Sequence, residues 1–223
     1  MTRILWCGGS HLAHAKPALE RQLGAREFFV TAGPELNRWS ANGGRYRVDG
    51  SRVGGSPFDP DRTVDLGDYD RIVFIGQWIQ PQKWFNAGQL LSTSVLERMC
   101  SGDGLVHQPQ DGTFNEPLLL FPQLAPQRCM LACDPFPHSN SVWPERNCRG
   151  FYRDIPTAYL GRFVDHVLAF CHQRGMTALL QPDDTQHDWI TDPIHSRGDQ
   201  ILMTDQFWER YVELIGKPLR TTD

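Results

Sequence analysis

The sequence contains no long hydrophobic run, although 40% of its residues are hydrophobic. A helix that spans a bilayer needs about 18 or more consecutive apolar residues, and no stretch approaches that length. The first residues also lack the charged and then apolar pattern of a secretory signal. We therefore predict no membrane partner and expect the protein, as the sequence stands, in the cytoplasm.

Basic residues do not cluster, because the 22 lysines and arginines are scattered along a chain of formal net charge -4. A protein that binds nucleic acid usually carries a basic patch, so we predict no nucleic-acid partner. The cysteines form no Cys-x-x-Cys pair, and their mostly apolar or helical surroundings favour buried free thiols over disulfides or metal ligands. The six are Cys7, Cys100, Cys129, Cys133, Cys148 and Cys171.

What the sequence does contain is an alternation of β-type and helical patterns. A chain of 223 residues can bury a full core, and we predict one domain over residues 1–223. Strands alternating with helices are typical of a mainly parallel sheet that is covered on both faces. The predicted strands are 3–8, 28–31, 70–76, 129–133 and 177–180, and the predicted helices are 11–23, 91–99, 160–171 and 207–215.

Two long stretches carry little readable pattern. The polar, glycine-rich stretch 33–61 is predicted to be an excursion from the domain, with 46–49 as its one extended segment. The stretch 102–127 shows no clear element. Both are expected to shape any pocket at the sheet edge, because ligands in parallel sheets bind beyond the carboxyl ends of the strands.

Ser10 is the first candidate functional residue. It follows Gly8 and Gly9 at the end of an apolar strand pattern and precedes a helical one. A hydroxyl at such a turn is exposed enough to act as a nucleophile, and the backbone N–H groups of the turn can hold developing negative charge. We therefore predict that Ser10 is a nucleophile.

The second candidate is the pair Asp192 and His195, which are separated by Pro193 and Ile194. A histidine can take the proton of a serine hydroxyl, and an aspartate can hold the imidazole in the correct tautomer. The same region also offers a metal-site alternative, because Asp184 and His187 lie close by in the sequence. No second cluster of ligand residues is obvious, so we predict a serine mechanism with no metal and no cofactor.

The order of these parts resembles the SGNH, or GDSL-like, hydrolase superfamily over nearly the whole chain. Gly8-Gly9-Ser10-His11 is similar to the family's Gly-Asp-Ser block, with Gly9 where Asp is usual. Asp192-Pro193-Ile194-His195 is similar to its terminal Asp-x-x-His block. The resemblance implies a flavodoxin-like three-layer α/β/α fold. It also implies an esterase or deacetylase with Ser10 as nucleophile, His195 as base and Asp192 as its orienter.

The resemblance further implies an oxyanion hole that combines the serine N–H, a glycine N–H and an asparagine side chain. Gly33 is the predicted glycine, with Gly43 and Gly44 as alternatives. The asparagine block is not matched, because Gln77 and Trp78 stand after the strand where the family has Gly-x-Asn-Asp. Both side chains carry N–H donors, so both are predicted oxyanion or substrate-binding residues.

The predicted substrate is an ester of a small molecule or a glycan, cleaved through an acyl-Ser10 intermediate. Two alternatives stay open. An acceptor sugar or other alcohol in place of water gives an O-acyltransferase through the same intermediate. A loss of the oxyanion donor gives an SGNH-fold protein that binds a carbohydrate or small metabolite. The sequence makes no prediction of oligomeric state.

Overall fold

The computed structural model describes residues 2–31, 46–56, 59–76, 116–136, 157–197 and 203–220. Within these ranges the strands are β1 (Ile4–Gly8), β2 (Glu27–Val30), β3 (Arg47–Asp49), β4 (Arg52–Ser56), β5 (Asp59–Asp65), β6 (Arg71–Ile75), β7 (Cys129–Ala132), β8 (Thr177–Leu179), β9 (Gln186–His187) and β10 (Ile190–Thr191). The helices are α1 (Ser10–Leu23), α2 (Glu116–Leu124), α3 (Thr157–Gln173) and α4 (Asp205–Arg220). The helix predicted over 91–99 lies outside the described residues.

A five-stranded sheet forms the centre of the molecule, with the order β2-β1-β6-β7-β8. All of its neighbouring strands are parallel, and Cys7 of β1 lies opposite Phe74 of β6, which lies opposite Leu131 of β7. Numbered within the sheet alone, this order is 2-1-3-4-5, the flavodoxin-like variant of the doubly wound fold. The predicted α/β class with a parallel sheet is confirmed.

Alternating side chains of the central strands divide the core into two layers. Leu5 and Phe74 point to one face, where they are fully buried with residues of α2 and α3. Trp6 and Val73 point to the other face and pack with residues of α1 and α4. Because both faces are covered, the strands are near-continuous apolar runs, as parallel sheets require. The result is three layers, with helices on each side of the sheet.

Helix α4 is bonded to the carboxyl ends of β7 and β8. Its apolar residues recur at helical spacing, as the sequence predicts, and Phe207 and Ile215 are fully buried. The Tyr211 hydroxyl donates to the carbonyl of Cys133 at 2.8 Å and lies 2.9 Å from that of Leu179. Because these carbonyls follow β7 and end β8, the contact fixes α4 at the carboxyl edge of the sheet.

The stretch 33–61 holds more structure than the sequence predicts. β3, β4 and β5 form an antiparallel sheet, of which only β3 corresponds to a predicted segment. Val53 and Val64 bury the inner side of this sheet in the core that contains α2 and α3. The Ser56 hydroxyl donates to the Val30 carbonyl at 2.7 Å, which attaches the small sheet to the end of β2.

Helix α2 is also absent from the sequence predictions. Pro117 and Pro122 obscure its pattern, since proline is a poor residue for a helix interior. Its buried residues Leu118 and Phe121 are nevertheless three apart, as an amphipathic helix requires. None of the helices in the described ranges is long and apolar enough to cross a membrane.

Candidate functional site

The carboxyl ends of the parallel strands carry the candidate site. Ser10 follows β1, Thr31 follows β2, Gly76 follows β6 and Asp134 lies two residues after β7. Parallel strands place all of these residues along one edge of the sheet. This edge is where doubly wound folds bind their ligands, so the predicted location of the site agrees with the topology.

Ser10 is the first residue of α1 and is exposed. The first hydrogen bond of the helix runs from the Ala13 N–H to the Gly9 carbonyl at 3.1 Å. The N–H groups of Ser10, His11 and Leu12 come before this bond in the chain and have no carbonyl partner in the preceding turn of the helix. These N–H groups and the positive end of the helix dipole favour negative charge beside the Ser10 hydroxyl.

Gly8 allows the sharp passage from β1 to α1. A Cβ atom on Gly8 would lie 2.5 Å from the carbonyl oxygen of Ile75 and 2.9 Å from the Cβ of Leu12. Real side chains do not tolerate such distances, so β1, β6 and α1 approach this closely only because residue 8 is glycine. The Ser10 turn is therefore set by backbone packing.

His11, the residue after Ser10, is buried and faces Asp134. Its Nδ1 atom lies 2.7 Å from Oδ1 of Asp134, and both side chains are about 95% covered, with 4% and 6% exposed. Neither atom makes a hydrogen bond of regular geometry, and Nε2 of His11 is also buried without a partner. The two side chains are therefore in close polar contact in the core at the start of α1.

Gly76 lies against this pair. Its φ of +63° is a left-handed conformation, and a Cβ atom there would be 2.6 Å from Nδ1 of His11 and 2.7 Å from Oδ1 of Asp134. Any other residue at position 76 would therefore displace one or both partners. The glycine lets the end of β6 contact the histidine and the carboxylate at once.

The loop that carries Asp134 is held by a buried amide. Gln181 accepts a hydrogen bond from the Phe136 N–H at 2.6 Å, and its own amide group donates to the Thr185 hydroxyl at 3.0 Å. The Thr191 hydroxyl donates to the Phe136 carbonyl. The segment between β8 and the Asp192–His195 turn is thus bonded directly to the loop after β7.

His195 is buried in a short 3₁₀ turn, and its Nδ1 atom has no hydrogen-bond partner. Asp192 is exposed, and its backbone carbonyl accepts the N–H of His195 at 2.9 Å. In the part of the chain that the structure describes, no side-chain hydrogen bond joins Ser10, Asp192 and His195. The turn thus supplies a buried imidazole whose Nδ1 atom makes no hydrogen bond.

Aromatic rings of α4 connect the two buried histidines. The His11 ring lies 5.7 Å from the Trp208 ring, which lies 5.3 Å from the Phe207 ring, measured between centroids. The Phe207 ring in turn lies 6.3 Å from the ring of His195. Both buried histidines therefore pack against neighbouring aromatic residues of α4.

Three predicted site residues, Gly33, Gln77 and Trp78, lie outside the described residues, as do the alternatives Gly43 and Gly44. Within the described ranges, no three metal-ligating side chains converge on one point.

His11, Gly76, Asp134 and Gln181 are residues of this site that were not predicted from the sequence. A signal for Asp134 does exist, because an aspartate comes almost directly after a buried strand and before Pro135. Carboxylates in that position lie at the ligand-binding edge of a parallel sheet. The contact between Asp134 and His11 has no signal in the sequence, because the two residues are far apart in the chain.

No model of a protein family matches the chain, and no significant match was found among curated proteins or solved structures.

Proposed function

We propose that the protein is a serine-dependent ester hydrolase of the SGNH-like kind, acting through an acyl-Ser10 intermediate. The observation that carries the proposal is the position of Ser10. Its exposed side chain stands at the N-terminus of α1, at the carboxyl edge of a parallel sheet with flavodoxin-like order. That is the position in which an α/β fold presents a nucleophilic hydroxyl together with free backbone N–H groups.

The reaction proceeds in two stages. The Ser10 oxygen attacks the carbonyl carbon of the ester, His195 takes the hydroxyl proton, and collapse of the tetrahedral intermediate expels the alcohol, which receives that proton. Water then attacks the acyl-enzyme with His195 again as base, which releases the acid and restores Ser10. Neither stage requires an oxidant, a metal or a cofactor.

The role of His195 is supported by its surroundings. Its imidazole is buried beside Phe207, and its Nδ1 atom has no partner in the described residues. A carboxylate at Nδ1 leaves Nε2 as the basic nitrogen, and we assign this role to Asp192, three residues earlier in the chain. Catalytic hydrogen bonds often close only when substrate is bound, so the reaction requires the Asp192 carboxylate to turn toward the ring.

The oxyanion of the tetrahedral intermediate needs donors that are in place before the attack. The backbone N–H at the start of α1 is one such donor. Gly33, Gln77 and Trp78 are the proposed further donors and substrate contacts, because they come after β2 and β6, the two strands that flank β1 in the sheet. The substrate is an ester of a small molecule or a glycan.

Turnover of a short-chain aryl ester tests this function. Ser10→Ala is expected to abolish turnover above the rate in buffer, whereas Ser51→Ala leaves it unchanged. Ser51 is the matched control because its hydroxyl donates to Asp65 of β5, in the small antiparallel sheet and outside α1. Equal turnover by Ser10→Ala and the wild-type protein would contradict the proposal. The addition of an acceptor alcohol distinguishes hydrolysis from O-acyl transfer, since transfer yields a new ester.

A further inference from the structure

The His11–Asp134 pair supplies no group to the reaction proposed above. His11 and Asp134 are nevertheless, with His195, the three acidic or basic side chains that are buried in the described residues, and they belong to elements far apart in the sequence. His11 lies in the first turn of α1, and Asp134 lies in the loop after β7. Their contact therefore ties the start of α1 to the edge of the sheet.

Stability alone is a poor explanation for this pair. Removing a charged or strongly polar group from water is costly, and a buried ion pair can often be replaced by apolar residues with no loss of stability. The core around the pair is apolar, since the His11 ring packs against Trp208. An apolar pair in the same space would avoid the desolvation cost.

The location of the pair points instead to Ser10. The residue that adjoins His11 is the predicted nucleophile, and the N–H groups of both residues stand at the open end of α1. His11 lies in the first turn of the helix, directly after Ser10, so the packing of its ring bears on the position of that turn.

Gly76 allows the end of β6 to pack directly against the His11–Asp134 pair. The backbone at Gly76 approaches both His11 and Asp134 so closely that a methyl group would not fit. Three strand ends are thus fixed against one imidazole: the end of β1 through the chain itself, the end of β6 through Gly76, and the loop after β7 through Asp134.

We propose that His11 and Asp134 are positioning residues that hold the first turn of α1, and with it Ser10, in the geometry for nucleophilic attack. This inference rests on the proposed function. It assigns neither residue a contact with substrate. Misplacement of a reacting group or loss of a supporting partner typically costs about tenfold to a hundredfold in rate, and we expect a loss of that size in kcat.

The test uses a double variant, His11→Leu with Asp134→Ala, which removes both buried polar groups together. The combined side-chain volume stays close to that of the pair, so the fold is expected to keep its melting temperature or gain slightly. The readouts are the melting temperature and the separate values of kcat and KM with an aryl ester. We expect kcat to fall about tenfold to a hundredfold while KM changes little.

Two further variants keep the test decisive if the double variant does not fold. His11→Gln retains an N–H donor for Asp134 and is expected to keep more activity than His11→Leu. Tyr69→Phe is the control for a general loss of stability, because its hydroxyl donates to Glu27 at 2.7 Å near the opposite edge of the sheet. That control is expected to lower the melting temperature with no change in kcat.

The outcomes separate this inference from the proposed function. If the wild-type protein turns over the ester and a folded double variant does so at the same kcat, the pair is structural only and the inference is overturned. The same holds if His11→Gln and His11→Leu lose equal activity. If Ser10→Ala is as active as the wild type, the proposed function itself fails, and the inference fails with it.

Discussion

The side-chain carbonyl oxygen of Gln181 accepts a hydrogen bond from the backbone N–H of Phe136 at 2.6 Å, which joins the loop after β7 to the segment after β8. The Thr191 hydroxyl reaches the same place, because it donates to the Phe136 carbonyl and lies 3.1 Å from the Gln181 oxygen. Asp134 precedes Phe136 and His195 follows Thr191 in the chain. One buried amide therefore supports both the Asp134 loop and the approach to His195.

Gln181→Leu is expected to lower the free energy of unfolding by about 2–3 kcal/mol, because it removes the buried hydrogen bonds of the Gln181 amide to the Phe136 N–H and the Thr185 hydroxyl. Urea denaturation measures the change. Gln173→Leu is the matched control, since Gln173 is exposed at the end of α3 and is expected to change stability by less than about 0.5 kcal/mol. Equal effects of the two substitutions would show that the Gln181 contacts contribute nothing.

Gly76→Ala and Gly24→Ala separate steric conflict from backbone strain. Both glycines have a φ of +63°, but a Cβ atom on Gly24 would meet nothing within 4 Å. Gly24→Ala is expected to cost only the strain, about 1–2 kcal/mol. Gly76→Ala adds the conflict with His11 and Asp134, so we expect about 3 kcal/mol or more. Thermal or urea unfolding measures both losses. A Gly76→Ala variant that loses no more stability than Gly24→Ala would contradict the close contact of Gly76 with His11 and Asp134.

Tyr69 is expected to make stability depend on pH in the alkaline range. Burial, together with the hydrogen bond to Glu27, raises the pKa of Tyr69 from 10.0 to about 12. A raised pKa in the folded state contributes stability that is complete below the unfolded pKa and is lost as pH rises through the folded pKa. The stability difference between the wild-type protein and Tyr69→Phe should therefore shrink between about pH 10 and about pH 12. A difference that does not change with pH would exclude this role.

Four cysteines are expected to resist alkylation in the folded protein. All four are buried free thiols, which agrees with the sequence prediction at these positions: Cys7, Cys129, Cys133 and Cys171. Burial raises the pKa of Cys171 to about 12, so the reactive thiolate is scarce at neutral pH. Peptide mapping after iodoacetamide treatment should find them unmodified in buffer and modified in urea. Modification at the same rate in both conditions would contradict their burial.

The central sheet could be predicted from the sequence because its strands are buried on both faces. β1, β6 and β7 are short, nearly uninterrupted apolar runs, and their predicted ends differ from the observed ends by about one residue. β4 and β5 could not be predicted, because they are not continuous apolar runs. Gly54 and Gly55 interrupt β4, and only Val64 of β5 is buried, so neither strand shows a clear pattern.

The candidate site could be predicted only where it depends on local sequence. The strand, turn and helix around Ser10 are a local pattern, and the structure begins α1 at Ser10, one residue before the predicted start of the helix. The contact of His11 with Asp134 depends on the order of strands in the sheet. His11 follows β1 and Asp134 follows β7, and the two meet because both strands lie beside β6. A sequence states no such order, so the pair became visible only in three dimensions.

Covalent labelling of Ser10 by a fluorophosphonate, followed by peptide mass spectrometry, tests the assigned nucleophile most directly. We expect one phosphonyl adduct on the peptide that contains Ser10, no adduct in Ser10→Ala, and full labelling in the Ser51→Ala control. An activated serine is required for this reaction, which exposure alone does not provide. A wild-type protein that stays unlabelled, or that carries the adduct on another residue, would contradict the assignment of Ser10 as the nucleophile.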